Sequence, residues 1–103
     1  MKKIKLVDWK AIDNDGKEVV EDITTVLAAL LTVKDPATLP RGFNKAQMFR
    51  RIIKSFESAH VSRELIIDDE DYAFFKLMIE TDTPANWGAN KNIMKALDEF
   101  NSL

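Results

Sequence analysis

Cysteine is absent from the 103-residue chain. Its absence excludes disulfides, thiolate nucleophiles and thiolate metal sites, and it fits a reducing compartment. Histidine occurs once, at position 60. There is no Gly-x-Ser-x-Gly element and no phosphate-binding glycine loop. Long apolar runs are missing too. Stretches such as Val26 to Leu31 fall far below the roughly 18 residues a membrane span needs. The start "MKKIKLVDWK" is positive, but it alternates and carries Asp8, so it lacks the apolar centre of a signal peptide. A cytoplasmic protein is expected, with no membrane partner and no cofactor. No catalytic, cofactor-binding or metal-ligating residue is assigned, and the chain is read as a non-enzyme.

The residues present are those of an ordinary globular protein, 46% hydrophobic and 31% charged, well away from the composition of disorder. The length fits a single domain over 1–103, because single cores commonly form at about 100–150 residues. Net charge is only −2, but it is unevenly placed. Residues 41–63 hold Arg41, Lys45, Arg50, Arg51, Lys54 and Arg63 against Glu57 alone. Residues 64–82 hold Glu64, Asp68, Asp69, Glu70, Asp71, Glu80 and Asp82 against Lys76. A basic segment is followed at once by an acidic one.

Periodicity gives an α+β reading. Residues 3–12 alternate imperfectly around Ile4, Leu6, Val7, Trp9 and Ile12, which suits a strand. "DNDG" then turns the chain and "KEVVE" returns it, an N-terminal β-hairpin. Asp22 is placed to cap a helix beginning "ITTVLAALL", whose apolar residues at 23, 26, 27, 30 and 31 form one stripe. The prolines and glycine of "VKDPATLPRGF" mark a loop. A second helix is expected over 45–59, capped by Asn44, with Ala46, Phe49, Ile53 and Phe56 inward, Met48 and Ile52 at the margins, and Arg50, Arg51, Lys54 and Glu57 outward. "ELII" at 64–67 reads as a short strand or an extended tether. A third helix over 69–80, capped by Asp68 or Asp69, is apolar almost all round and belongs at the centre of the core. Its acids cluster in the first turn, where the helix dipole favours them. A last helix spans about 89–101, with Ile93, Met94, Leu97 and Phe100 inward. The architecture expected is a hairpin packed against a cluster of three to four helices.

One stretch, "AIDNDGKEVVED", invites a calcium-loop reading. With Gly16 at position 6 of such a loop, Asp13, Asp15 and Asp22 fall at positions 3, 5 and 12. Position 1 is then Ala11, which has no side-chain oxygen, and the preceding segment is strand, not helix. An Asp-Gly hairpin turn explains the same letters. "ESAHVSRE" gathers Ser58, His60, Ser62 and Glu64 in sequence, but nearness in sequence is not triad geometry. Trp9 and Trp87 are read as core. The basic helix offers a candidate partner surface made of Arg41, Lys45, Arg50, Arg51 and Lys54. The competing reading is a solvated helix face neutralised by the acids that follow it.

The order of elements resembles a group of small, uncharacterised proteins encoded by tailed bacteriophages and prophages. The residues that carry it are the lysine-rich start "MKKIKLVDWK", the turn "DNDGKEV", the helices "ITTVLAALL" and "AQMFRRIIKSF", the stretch "ELIIDDEDYAFFKLMIE" and a short final helix. The resemblance covers nearly the whole chain and is one of residue type. The longer "VKDPATLPRGF" loop and the strongly basic second helix depart from it, and it carries over no functional residue. It implies a phage-derived protein of the host cytoplasm that acts through protein–protein contacts or self-association, in virion assembly or in modulating a host protein. The alternative expectation is a nucleic-acid-binding accessory protein using helix 45–59. The sequence pI near 5.4 runs against that alternative, which favours basic domains.

Overall fold

The computed structural model describes residues 1–103, apart from the side chain of Pro36. The run 3–12, expected as one strand, is two: β1 (Lys2–Lys5) and β2 (Trp9–Ile12). The reason lies in the phase of the alternation. Ile4 and Leu6 turn inward on even positions, whereas Trp9 and Ala11 turn inward on odd ones. One continuous strand cannot place both sets on the same face, so the chain breaks at Val7, which is exposed. Strand β2 pairs antiparallel with β3 (Glu18–Glu21) as the expected hairpin, with Trp9 opposite Glu21 and Ile12 opposite Glu18.

The hairpin turn accounts for the acids of the calcium-like stretch. Gly16 takes φ 79°, and its N–H donates to the Asp13 carbonyl at 3.1 Å. The Asp13 carboxylate accepts from the N–H groups of Asp15 and Lys17, both at 2.9 Å, the local bonding that favours Asp in turns. Asp22 has a different task. It caps α1 (Ile23–Val33), and Thr25 returns a bond to the Asp22 N–H, completing a capping box. Among the described residues, no three His, Asp or Glu side chains gather as a metal ion would need.

After a 3₁₀ turn at Pro36–Thr38, α2 runs from Phe43 to Ser62, longer at both ends than expected. Asn44 is not its cap. Gly42 holds that position at φ 103° and ψ 162° with no side-chain cap, a region of backbone space open essentially to glycine alone. The helix ends at Arg63, whose left-handed φ of 64° turns the chain into β4 (Glu64–Ile67). "ELII" is therefore a strand. It pairs antiparallel with β1, Lys3 opposite Ile66 and Lys5 opposite Glu64, in a second two-stranded sheet. Helix α3 (Asp69–Asp82) is capped by Asp68, and α4 (Lys91–Asn101) by Asn90. A 3₁₀ turn at Ala85–Ala89 joins them and holds Trp87.

The fold is α+β, a hairpin and a two-stranded sheet against four helices. One core draws on all four helices, on Leu65 and Ile67 of β4 and on Leu6. Helix α3 crosses it, as its apolar circumference suggested, although Leu77 stays exposed. Phe75 is the centre. It stacks on Phe56 of α2 at 5.9 Å and meets Phe100 of α4 edge-on at 6.4 Å. Tyr72 packs on Phe100 at 5.0 Å and donates its hydroxyl hydrogen to the Phe100 carbonyl at 3.0 Å, which satisfies a buried polar end. Trp9 and Trp87 are half-buried and pack against this core. The Trp9 indole N–H also donates to Glu21 at 3.1 Å.

Candidate functional site: a basic cleft beside β4

Helix α2 buries Met48, Ile52 and Ala59; of the residues expected inward, Phe49 and Phe56 are half-buried, but Ala46 and Ile53 are exposed, so the buried stripe runs one residue round from the expected one. The residues that flank this buried stripe on one side are Arg51, Ser55, Ser58 and Ser62, with Gln47, Lys54 and Arg50 further round. Because Arg63 reverses the chain tightly, β4 comes back alongside this flank. Between the two lies a cleft of about 530 Å³, walled by the α2 flank on one side and by Glu64 and Ile66 on the other. Directly opposite residues of an antiparallel pair project to the same face. Lys3 and Lys5 of β1, exposed and facing Ile66 and Glu64 across the ladder, therefore extend the basic surface past the strand.

The five expected surface residues have separate fates. Arg51 is committed within the fold. Its Nε and Nη2 donate to the two carboxylate oxygens of Asp71, at 2.8 and 2.5 Å. The Asp71 side chain is fully buried, so this forked pair compensates a charge that could not stand alone inside. The Asp71 hydrogen bond pushes the Arg51 pKa up, and Asp68 and Glu70 add to it. Arg51 also lies 3.6 Å from Glu70, and Lys45 lies 3.9 Å from the same carboxylate. Arg41, Arg50 and Lys54 are exposed and have no ion-pair partner among the described residues. Of these, Arg50 and Lys54 line the cleft. Arg41 precedes the helix and does not line it.

The acidic segment is largely spent inside the chain. Asp71 holds Arg51, Asp68 caps α3 through the Glu70 N–H, and Asp69 meets the amino-terminal nitrogen at 2.8 Å. Asp82 pairs with Lys34 at 2.8 Å. That pairing ties the end of α1 to the end of α3 and holds the Asp82 carboxyl below its usual range, chiefly through the Lys34 hydrogen bond. These acids are thus engaged within the chain, whereas the cations of the cleft remain open.

The residues of "ESAHVSRE" do not converge. Ser58, Ser62 and Glu64 border the cleft. The Ser62 hydroxyl is engaged with the carbonyls of Ser58 and Glu64, each at 3.1 Å. His60 points toward α1, its Nε2 3.4 Å from the Thr24 hydroxyl oxygen. Lys3, Lys5 and Ile66 were missed as site residues. Their signal was present in "KKIKL" and "ELII", whose alternate residues must face outward once each stretch is taken as a strand. The pairing of β1 with β4 is what brings them beside α2. Comparison with protein-family models, with curated proteins and with solved structures finds no match to this chain.

Proposed function

We propose that this chain is a non-enzymatic binding protein that engages an acidic protein partner through the cleft between α2 and β4. The observation that carries the reading is the placement of Arg50 and Lys54, exposed and without ion-pair partners among the described residues, on the wall of a 530 Å³ cleft. Lys3 and Lys5 lie on the outer face of the adjoining sheet. Cations left unpaired beside a concave surface favour a complementary acidic surface and speed its encounter. The setting in phage assembly or host modulation rests on the residue-type resemblance alone.

Nucleic-acid binding uses the same cations and is the second reading. Against it, among the described residues no aromatic side chain lines the cleft for base stacking. Phe49 and Phe56 are instead taken up by Phe74 and Phe75. The test is a titration of the chain, and of an Arg50→Glu/Lys54→Glu variant, with polyglutamate and with a mixed-sequence oligonucleotide across a range of salt. Polyglutamate binding that the double variant loses supports the proposal. A preference for the oligonucleotide, with affinity falling steeply with salt, would transfer the site to the second reading. Absence of binding to both would remove the site.

A further inference from the structure

The β1–β4 sheet has only two strands, so β4 has an edge that β1 does not occupy. The hydrogen-bonding phase shows which groups lie on that edge. The Leu6 N–H donates to the Arg63 carbonyl at 3.0 Å, and in the observed register Leu6 stands opposite Arg63. Such a pair is hydrogen-bonded, and alternate pairs along an antiparallel ladder are not. Ile4–Leu65 and Lys2–Ile67 therefore exchange bonds with each other. The N–H and C=O groups of Glu64 and Ile66 point away from β1. Ser62 already occupies the Glu64 backbone, its hydroxyl lying 3.1 Å from the carbonyl and 3.4 Å from the nitrogen. The Ile66 N–H and C=O have no partner among the described residues. Ile66 borders the cleft, whose opposite wall carries Arg50 and Lys54.

We propose that β4 accepts an extended acidic peptide segment as a third strand, laid in the cleft between the β4 edge and α2. An open strand edge is a template for another chain. A groove between such an edge and a helix is a recurring way to use it, with main-chain bonds supplying affinity and the side walls supplying selectivity. The charge of this groove decides the occupant: Arg50 and Lys54 on the helix wall and Lys3 and Lys5 beyond the strand, against Glu64 alone. Ile66 is 41% exposed, enough to offer an apolar contact to the alternate side chains of an incoming strand. The edge otherwise carries little to discourage pairing: Pro is absent from β4 and the strand is regular.

This inference rests on the acidic-partner reading above, and the experiment separates the two. Fluorescence anisotropy of the full chain at low ionic strength would use two labelled nine-residue peptides of equal charge. One alternates threonine with glutamate. The other has the same sequence with every backbone nitrogen methylated, so it lacks all the N–H groups a strand must donate. The threonine peptide is expected to bind at least about fivefold more tightly than its methylated counterpart, the scale of one lost net hydrogen bond. Ile66→Pro removes the outward N–H and leaves the β1 ladder intact, as an edge position tolerates. It should weaken the threonine peptide by a similar factor while circular dichroism stays that of the parent chain. The wild-type peptide comparison stands even if that variant fails to fold. Equal binding of both peptides, abolished by Arg50→Glu/Lys54→Glu, would overturn strand addition and leave the acidic-partner reading in place. No binding of either peptide would overturn both.

Discussion

Substitution of Asp22 separates the two meanings of "AIDNDGKEVVED" and probes the start of α1. The Asp22 carboxylate is buried, with the residue 4% exposed. Its Oδ1 accepts from the Thr24 N–H at 2.8 Å and from the Thr24 hydroxyl at 2.5 Å. Asp22→Ala removes the cap, worth about 1 kcal/mol. It also strips a charged acceptor from a hydroxyl on a residue only 3% exposed, for about 1–2 kcal/mol more. His60 Nε2 also lies near that hydroxyl, at 3.4 Å, and it recovers little at such a distance. The total is about 2–3 kcal/mol. With a urea slope of about 1–2 kcal/mol/M for a small domain, the unfolding midpoint should fall by about 1–3 M at unchanged slope. Asp22→Asn keeps a capping oxygen and should lose less than half as much. Urea unfolding followed by circular dichroism, with and without calcium, is the assay. Equal losses for Ala and Asn would refute the cap. A parent midpoint that rises with calcium, and fails to rise in Asp22→Ala, would restore the metal reading.

Three further outcomes follow from particular residues. Gly42→Ala should destabilise by about 1–3 kcal/mol through backbone strain alone, since a Cβ there meets nothing within 4 Å; a midpoint within 0.3 M or so of the parent would contradict the strained entry to α2. Arg51→Met should strongly destabilise by leaving the Asp71 carboxylate buried and unpaired, and Arg51→Met/Asp71→Leu should recover much of the loss because two packed apolar residues replace the pair; additive losses in a double-mutant cycle would be the contrary result. The lowered pKa of Asp82 means that the unfolded chain binds more protons there than the folded one, so this group's contribution is full above its ordinary value of 3.8 and is lost as pH falls through the lower folded value. Lys34→Met should flatten that part of the acid limb of a stability–pH curve, and an unchanged limb would show the pair to be idle.

The helices were legible because their signals are local: the stripe of α1, the acids opening α3, and the apolar stripe of Ile93, Met94, Leu97 and Phe100 in α4. The hairpin was legible for the same reason, since Asp-Gly sets its own turn. Two features depended on distant partners. The break at Val7 becomes visible only when Leu6 and Trp9 are asked to face one core. The entry to α2 turned on a glycine conformation, not on the nearby Asn44. The candidate site was half readable. The sequence placed Arg50, Arg51 and Lys54 on one helix, but the burial of Asp71 removes Arg51 from that set, and no local pattern announces a buried acid. The pairing of β1 with β4, about 60 residues apart in sequence, brings in Lys3, Lys5 and the free edge at Ile66, and long-range pairing of this kind leaves its trace only in alternation.

Amide hydrogen exchange at Ile66, measured by NMR in the full chain, tests the open edge most directly. The account predicts that the Ile66 N–H exchanges fast in the free chain while Leu65 and Ile67, bonded to β1, are protected. It also predicts that Ile66 becomes protected when the threonine–glutamate peptide saturates the cleft. An Ile66 amide as protected as Leu65 in the free chain, or one that stays unprotected at saturation, would contradict it.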